Sequence, residues 1–303
     1  MPVSKKPRRK KTELQLPKRT SPAPALPDPR GMEGFMSKIV GGQAKDAVTA
    51  AQEIMYDAWD QSSPRARVAL ARKALAVSPL CADAYVLLAE EEAKSVEEAL
   101  ACFRKGVEAG EQALGPAGFE EYAGHFWGFL ETRPYMRARA GLAAALNALG
   151  EVDAAIGHYS DMLRLNPNDN QGIRYVLAAC LMKRGDTEAL NKLFNKYDED
   201  ESALWLYSRA LVAFRESEGS EAKAREFARN ALRANGHVPA VLTGGKKVRP
   251  PASGYLTVGG EDEAAHYVEE WGFDWLTTPG AIDWLTKIAA ESTPTRTKRP
   301  SVH

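Results

Sequence analysis

Apolar side chains recur through the middle of the chain with the spacing of amphipathic helices. Between residues 137 and 200 the pattern repeats itself with a spacing of 35 residues: Leu142, Ala143, Leu146, Gly150 and Tyr159 correspond to Leu177, Ala178, Leu181, Gly185 and Phe194. A unit of this length holds a hairpin of two helices. No segment shows the strict alternation of apolar and polar residues that is typical of a strand. The pattern therefore predicts an all-α fold that is built from helix hairpins.

The repeated positions have physical roles that fit such hairpins. Gly150 and Gly185 lie where the first helix of each pair should end, a place that favours a residue in the left-handed conformation. The small Ala143 and Ala178 allow the two helices to approach closely. The spacing is close to the 34-residue period of the tetratricopeptide repeat. The sequence thus predicts a tetratricopeptide-type solenoid, a right-handed superhelix whose concave face is lined by the first helices.

Weaker copies of the pattern flank these two repeats and give a prediction for the whole chain. Prolines and repelling charges at the start, and a polar stretch at the end, indicate tails without packed structure. The predicted organisation is a disordered basic and Pro-rich tail at 1–46, about five helix pairs at 47–240 with an inserted helix near 117–131, a loop at 241–260, a C-terminal helical cap at 261–290 and a disordered tail at 291–303.

A net charge of zero conceals an uneven distribution of charge. Residues 1–30 hold nine basic side chains against Glu13 and Asp28, so the rest of the chain is acidic on balance. The basic run Lys5–Lys11 is typical of segments that neutralise nucleic-acid phosphates or direct nuclear import. The alternative is a solvated extension without a partner, and Met32 and Met36 are further possible translation starts. We expect nucleic acid to bind, if at all, only through this run.

Motifs that would indicate catalysis or a bound metal are missing from the sequence. The three cysteines, Cys81, Cys102 and Cys180, are far apart and are interpreted as small buried apolar residues. None of the five histidines has a second histidine four residues away, and no phosphate-binding loop or nucleophile motif is found. The sequence contains no run of about 18 apolar residues, the length that a helix needs to span a membrane. We expect a cytoplasmic protein without catalytic activity or cofactor, or a nuclear one if the host is a eukaryote.

The concave face of the predicted solenoid is the first candidate site. A peptide or a helix from a protein partner would bind there, in a groove lined by the first helices. The lining residues predicted from their repeat positions are Glu90, Lys94, Arg137, Asn147, Tyr175 and Lys183. Some tetratricopeptide domains capture a chaperone's C-terminal carboxylate with a set of Lys, Asn and Arg side chains. This chain lacks that set, because Val86 and Ala140 occupy two of its positions. A solvated face with a structural or self-association role is the alternative.

The segment from His125 to Arg139 is the second candidate. Its aromatic residues could anchor an acidic partner that the arginines at 133, 137 and 139 bind. Alternatively, the aromatics fill a junction in the stack of helices and the arginines pair with the acidic residues at 120, 121 and 131. We favour the second interpretation for the aromatics, since such clusters are more often core than site, and leave the role of Arg137 open.

Several runs of residues resemble known families. His125–Ala138, Leu165–Tyr175 and Thr278–Leu285 resemble a signature of uncharacterised tetratricopeptide proteins, mostly bacterial. Ala84–Ala93 resembles the suppressor-of-tumorigenicity protein family, which also carries a step like His237-Val238-Pro239. The resemblance covers roughly residues 50–288 and implies a tetratricopeptide fold without an established catalytic activity. The membrane association of the eukaryotic relatives is not expected to carry over.

Overall fold

The computed structural model describes residues 29–40, 46–245 and 256–292. Throughout these residues the regular elements are helices and no strand is formed, so the prediction of an all-α fold is confirmed. The helices are α1 Pro29–Val40, α2 Ala47–Trp59, α3 Pro64–Val77, α4 Ala82–Glu91, α5 Val96–Glu121, α6 Arg133–Ala148, α7 Val152–Leu165, α8 Ile173–Arg184, α9 Thr187–Lys196, α10 Ala203–Ser217, α11 Ala222–Ala234, α12 Val238–Leu242, α13 Glu261–Leu276 and α14 Ala281–Ser292. They divide into two compact units, residues 1–180 and residues 181–303.

Short polar caps set the starts of the helices in the first unit. The side chains of Asp46, Ser63 and Ser95 each accept a hydrogen bond from the backbone N–H three residues further on, at the starts of α2, α3 and α5. These bonds satisfy N–H groups that have no partner within the helix. Pro64 follows its cap at the first helical position, where the missing N–H costs nothing. The local sequence thus divides the chain into short helices.

Small residues allow the helices of each hairpin in the first unit to pack closely. Ala71 and Ala74 of α3 are fully buried beside Ala51 and Met55 of α2. Gly141 of α6 faces Phe103 of α5, and a Cβ there would lie 2.2 Å from the ring. Apolar area removed from water along these contacts supplies the main stabilisation of the unit.

The inserted helix predicted near 117–131 is present only in part. The range of α5 contains a break at Gly115, whose φ of 59° and ψ of 175° are not helical, and Pro116 follows it. Proline favours the first position of a helix, because its missing N–H has no partner there. Residues 116–121 therefore form a short second helical stretch, and residues 122–132 are turns and bends that lead into α6.

The predicted tail at 1–46 is not a tail throughout. Residues 29–40 form α1, which packs against α2. Residues 1–28 and 41–45 lie outside the described residues, as does the predicted tail from 293 onward. The predicted loop at 241–260 begins with the last turn of α12 and is described only at 241–245 and 256–260.

A buried carboxylate joins three segments of the second unit. Glu263 of α13 accepts hydrogen bonds from the backbone N–H groups of Ala203 and Gly259 and from the side-chain amide of Asn235. The backbone carbonyl of Asn235 accepts a bond of 2.6 Å from the hydroxyl of Tyr207. Since a buried carboxylate is stable only with several donors, this network holds α13 onto α10 and the end of α11.

Gly150 and Gly185 end α6 and α8 in the left-handed conformation, with φ of 87° and 75°. The sequence-based interpretation of these two positions is confirmed. No side chain faces either residue within 4 Å, so the requirement for glycine comes from the backbone alone. A Cβ in this conformation is close to the following carbonyl oxygen.

Replacing Gly150 by Ala should lower the free energy of unfolding by roughly 1 kcal/mol, because alanine is strained at positive φ. Gly157 is the matched control: it lies inside α7 at negative φ with open space around it, so Gly157→Ala should stabilise by about 0.5 kcal/mol. Urea unfolding followed by circular dichroism measures both. Equal effects of the two substitutions would contradict the assignment.

Candidate functional site

An ion pair between neighbouring first helices lies at the centre of the candidate site. Arg137 of α6 donates from Nε to Oδ1 of Asp83 at 2.8 Å and from Nη2 to Oδ2 at 2.5 Å. The Asp83 side chain is fully buried and that of Arg137 is 9% exposed. Gln52 of α2 donates from Nε2 to the same Asp83 oxygen, Oδ2, at 2.7 Å. One carboxylate therefore connects the first helices of three successive hairpins, α2, α4 and α6.

The N-terminal helix adds a second carboxylate to this cluster. Glu33 of α1 accepts hydrogen bonds from Nη1 of Arg137 at 2.9 and 3.0 Å and from Nη1 of Arg133 at 3.1 Å. Glu33 is 6% exposed. Without it, Arg133 would lose its carboxylate partner, and the two guanidinium groups of the cluster would be balanced by Asp83 alone. Glu33 supplies the missing negative charge, so the buried cluster is neutral.

Further polar contacts hold α1 on the same face. Nη1 of Arg30 lies 2.9 Å from a carboxylate oxygen of Glu90 on α4, and its guanidinium stacks 4.8 Å from the ring centroid of Trp59. The hydroxyl of Ser37 donates to Glu53 on α2 at 2.7 Å. Helix α1 thus contacts side chains of α2, α4 and α6. We call the residues that it contacts, Glu53, Trp59, Glu90, Arg133 and Arg137, the docking face.

The electrostatics of the face favour permanent charge on Arg137. Burial alone would lower the pKa of its guanidinium, but Asp83 and Glu33 outweigh burial and raise the pKa above its ordinary value. Burial, with the nearby charge of Glu33, also raises the pKa of Tyr56. The tyrosine therefore stays neutral and the arginine charged at physiological pH. The centre of the docking face thus carries a permanent cation.

The structure brings together only part of the predicted concave-face set. Glu90 and Arg137 lie on the docking face, although Arg137 is paired and nearly buried instead of open to solvent. Lys94 is exposed in the turn between α4 and α5, where its backbone N–H donates to Glu98. Asn147 is half-buried near the end of α6. Its prediction as a groove residue remains untested.

The other two predicted residues lie further along the chain. Tyr175 of α8 is half-buried, and the guanidinium of Arg174 stacks 4.3 Å from its ring centroid. Lys183 is exposed and belongs to the second unit. Sequence reasoning missed Glu33, Asp83 and Arg133 as members of one cluster. Only Glu33 had a usable signal, because the apolar residues Met32, Phe35, Met36 and Ile39 are spaced as on a helix.

The aromatic segment before α6 is partly core. Phe126 is fully buried, 5.2 Å from the ring of Phe119 and 6.1 Å from that of Tyr135. This agrees with the interpretation that the aromatics fill a junction. Trp127 is half-buried, and Phe129 is 42% exposed beside Tyr122.

The predicted partners of the arginines are wrong. Arg133 and Arg137 pair with Glu33 and Asp83, and Arg139 pairs with Asp161 and the Tyr135 hydroxyl. Glu120, Glu121 and Glu131, which the sequence offered as nearby partners, are all exposed. The acidic partners lie on other helices: Glu33 and Asp83 are buried, whereas the Asp161 side chain is 31% exposed.

A small polar cavity lies beside Arg133. Its volume is about 230 Å³, and its lining is His125, Trp127, Gly128, Arg133, Asn166, Asn168 and Asn170. Asn166 shapes it by accepting from the backbone N–H of Trp127 and donating to Asn170. The intervening Asp169 caps α8, accepting from the backbone N–H groups of Ile173 and Arg174.

Ser202 caps α10, since its side chain accepts from the backbone N–H of Trp205 at 3.3 Å. Asp200 accepts from the backbone N–H of Ser202 and so supports the cap.

The remaining reactive groups form no cluster in the described part of the chain. No group of three His, Cys, Asp or Glu side chains is placed to hold a metal ion there. Cys81 and Cys180 are buried as expected, whereas Cys102 is half-buried. Burial and nearby Arg139 lower the pKa of His158, which is half-buried. The basic run Lys5–Lys11 lies outside the described residues.

None of the described helices is both long and apolar enough to cross a membrane. This finding covers 29–40, 46–245 and 256–292.

The chain is similar in sequence to the ST7 proteins. Residues 42–125 match the family model described as ST7 protein. The chain is 27% identical to the Protein ST7 homolog of Caenorhabditis elegans over 82% of its length, and 26% identical to a Suppressor of tumorigenicity 7 protein-like of Gallus gallus over 79%. It spans about half the length of these relatives, 53% and 47%. The matched segment contains α2 to α5 and, with them, Asp83 and Glu90.

Removing the positive partner of the buried ion pair should be costly. Arg137→Met leaves the Asp83 carboxylate buried beside Gln52 alone, and we expect a loss of about 3–5 kcal/mol in the free energy of unfolding. The double variant Asp83→Asn/Arg137→Met removes both charges and should recover at least half of that loss. Urea unfolding of the single and double variants measures the difference.

Arg72→Met is the control for this pair, because Arg72 and Glu92 form an exposed ion pair on the same unit. Exposed pairs contribute little, so this substitution should leave the urea midpoint unchanged. A midpoint shift for Arg137→Met as small as that for Arg72→Met would show that the central pair does not hold the hairpins together.

Proposed function

We propose that this relative of the ST7 proteins is a non-enzymatic protein-interaction scaffold. It binds a helix or a peptide segment of a protein partner on the concave face that a tetratricopeptide-type solenoid offers. In the first unit that face corresponds to the first helices of the hairpins, α2, α4 and α6. The docking face, with its charged and aromatic side chains, is the part to which we assign binding.

The tetratricopeptide interpretation has support from local structure. The helices α6 to α9 follow one another as two short pairs, and each helix is 10 to 16 residues long. Gly150 and Gly185, which are 35 residues apart, both end the first helix of a pair at positive φ. Fully buried Ala143 and Ala178 occupy the close-approach positions one repeat apart. These are the features expected of a repeat of this class.

The observation that carries the proposal is the position of α1. A helix already lies on the docking face, held by Arg30 to Glu90, by Glu33 to Arg133 and Arg137, and by Ser37 to Glu53. A groove that accepts one helix with charged contacts has the geometry to accept another. Helix-in-groove binding of this kind is a common mode of peptide recognition.

The chemistry of the face favours binding over catalysis. Its central group is a guanidinium, which stays protonated in proteins and therefore binds anions without transferring protons. The carboxylates of Asp83 and Glu33 are each fully engaged in ion pairs. The planar fork of arginine gives directional recognition of a carboxylate. We therefore assign the face to the recognition of an acidic side chain.

Photo-crosslinking in native lysate tests the proposal directly. A photoreactive amino acid replaces Glu90, which is exposed on α4, and in a matched variant it replaces Glu188, which is exposed on α9 in the second unit. We expect a protein partner that is captured from position 90 and not from position 188. Capture of the same proteins with equal yield from both positions would contradict binding at the docking face.

A further inference from the structure

We infer that α1 is an internal ligand of the docking face, which it occupies until a partner helix of similar chemistry displaces it. The inference rests on the proposed function and specifies its partner. The partner is a helix that carries Arg or Lys, then Glu or Asp three residues later, followed directly by Gly. In α1 these positions are Arg30, Glu33 and Gly34.

The orientation of α1 is the first reason. The residues that touch the face are polar or small: Arg30, Glu33, Gly34 and Ser37. The apolar residues point away from it, with exposures of 63% for Met32, 61% for Phe35, 41% for Met36 and 68% for Ile39. An amphipathic helix that is a permanent part of a core buries its apolar stripe. This helix is attached by its polar side, so little apolar area holds it in place.

The second reason is that the contacts of α1 are polar, so a helix that carries the same groups can replace them. Arg30 and Glu90 keep 21% and 41% of their side chains exposed, and an ion pair that is open to water contributes little to stability. Glu33 is buried between Arg133 and Arg137, so a partner that displaces α1 must bring a carboxylate of its own. The apolar core of the first unit, by contrast, is formed by α2 and α3 and the hairpins that follow them. Release of α1 therefore leaves the hairpins intact.

The charge of the vacated face specifies the partner. With Glu33 removed, Arg133 loses its carboxylate partner and Arg137 keeps only Asp83, so this end of the site accepts one carboxylate. Glu90 on α4 pairs with Arg30, which lies about one helical turn before Glu33 in α1, so this second position accepts one cation. A helix presents residues three apart on the same side. A cation and a carboxylate at this spacing therefore satisfy both ends of the site together.

The close approach of α1 restricts the partner further. A Cβ at Gly34 would lie 2.7 Å from Cβ of Tyr56, and one at Gly31 would lie 2.5 Å from a carboxylate oxygen of Asp60. Tyr56 is 5% exposed and cannot move aside. Glycine at the position after the carboxylate is thus part of the recognition pattern. A larger residue there pushes the helix off the face.

Covalent attachment favours α1 over a free helix that carries the same groups. Residues 41–45 connect α1 to α2 in the sequence. A short connection raises the effective concentration of an attached segment to the order of millimolar. A free partner helix therefore competes with α1 at this effective concentration. A substitution that weakens only the docking of α1 should increase the affinity of the protein for a free helix.

The test uses the full-length protein and a capped, fluorescent peptide with the sequence of residues 29–40. Gly34→Ala in the protein should release α1 through its clash with Tyr56 while the peptide keeps glycine. We expect at least tenfold tighter peptide binding to Gly34→Ala than to wild type, and faster amide hydrogen exchange in residues 29–40. Met32→Ala is the control, because Met32 lies on the exposed side of α1, and it should change neither measurement. A peptide with glutamine in place of the Glu33 residue should bind Gly34→Ala at least tenfold more weakly.

The outcomes separate the inference from the proposed function. Peptide binding of equal strength to wild type and Gly34→Ala would overturn internal competition and leave the helix site standing. Unchanged hydrogen exchange of α1 in Gly34→Ala would likewise overturn the inferred mode of docking. Release of α1 without any peptide binding would contradict the docking face as a helix site and so overturn the proposed function as well.

Discussion

The ion pair between Asp83 and Arg137 is the interaction on which the first unit depends. The apolar contacts of each hairpin lie between its own two helices or with the next hairpin. The Asp83 carboxylate is fully buried and accepts hydrogen bonds from α2 and α6 together. A buried carboxylate without partners would be strongly destabilising, so the three first helices keep the positions that satisfy it. The docking face exists because this constraint aligns their side chains.

The same ion pair shapes the proposed binding site. Asp83 accepts hydrogen bonds from Nε and Nη2 of Arg137 and holds its guanidinium in place, while Nη1 donates to Glu33 on α1. Glu33 also pairs with Arg133, so a segment outside the hairpins supplies the carboxylate that both arginines contact. The structure of the unit and the proposed recognition therefore depend on the same guanidinium group.

Much of the fold could be predicted from the sequence, and less of the site. Periodicity is a local property, so the hairpins and the left-handed Gly150 and Gly185 could be read directly. Arg137 finds its partners 54 and 104 positions away, and no local pattern encodes such distances. Acidic residues near in sequence were therefore wrong choices. Helix α1 was missed because the basic, Pro-rich stretch before it dominated the composition, although its apolar residues have helical spacing.

The central claim is that α1 occupies a site from which a similar helix displaces it. The most direct measurement is the distance between spin labels at Met32→Cys on α1 and Lys94→Cys beside α4, in protein with Cys102→Ala, by pulsed electron spin resonance. The account predicts a single short distance in the free protein and a second, longer and broader population in excess peptide of residues 29–40. A distance distribution that the peptide does not alter would contradict it.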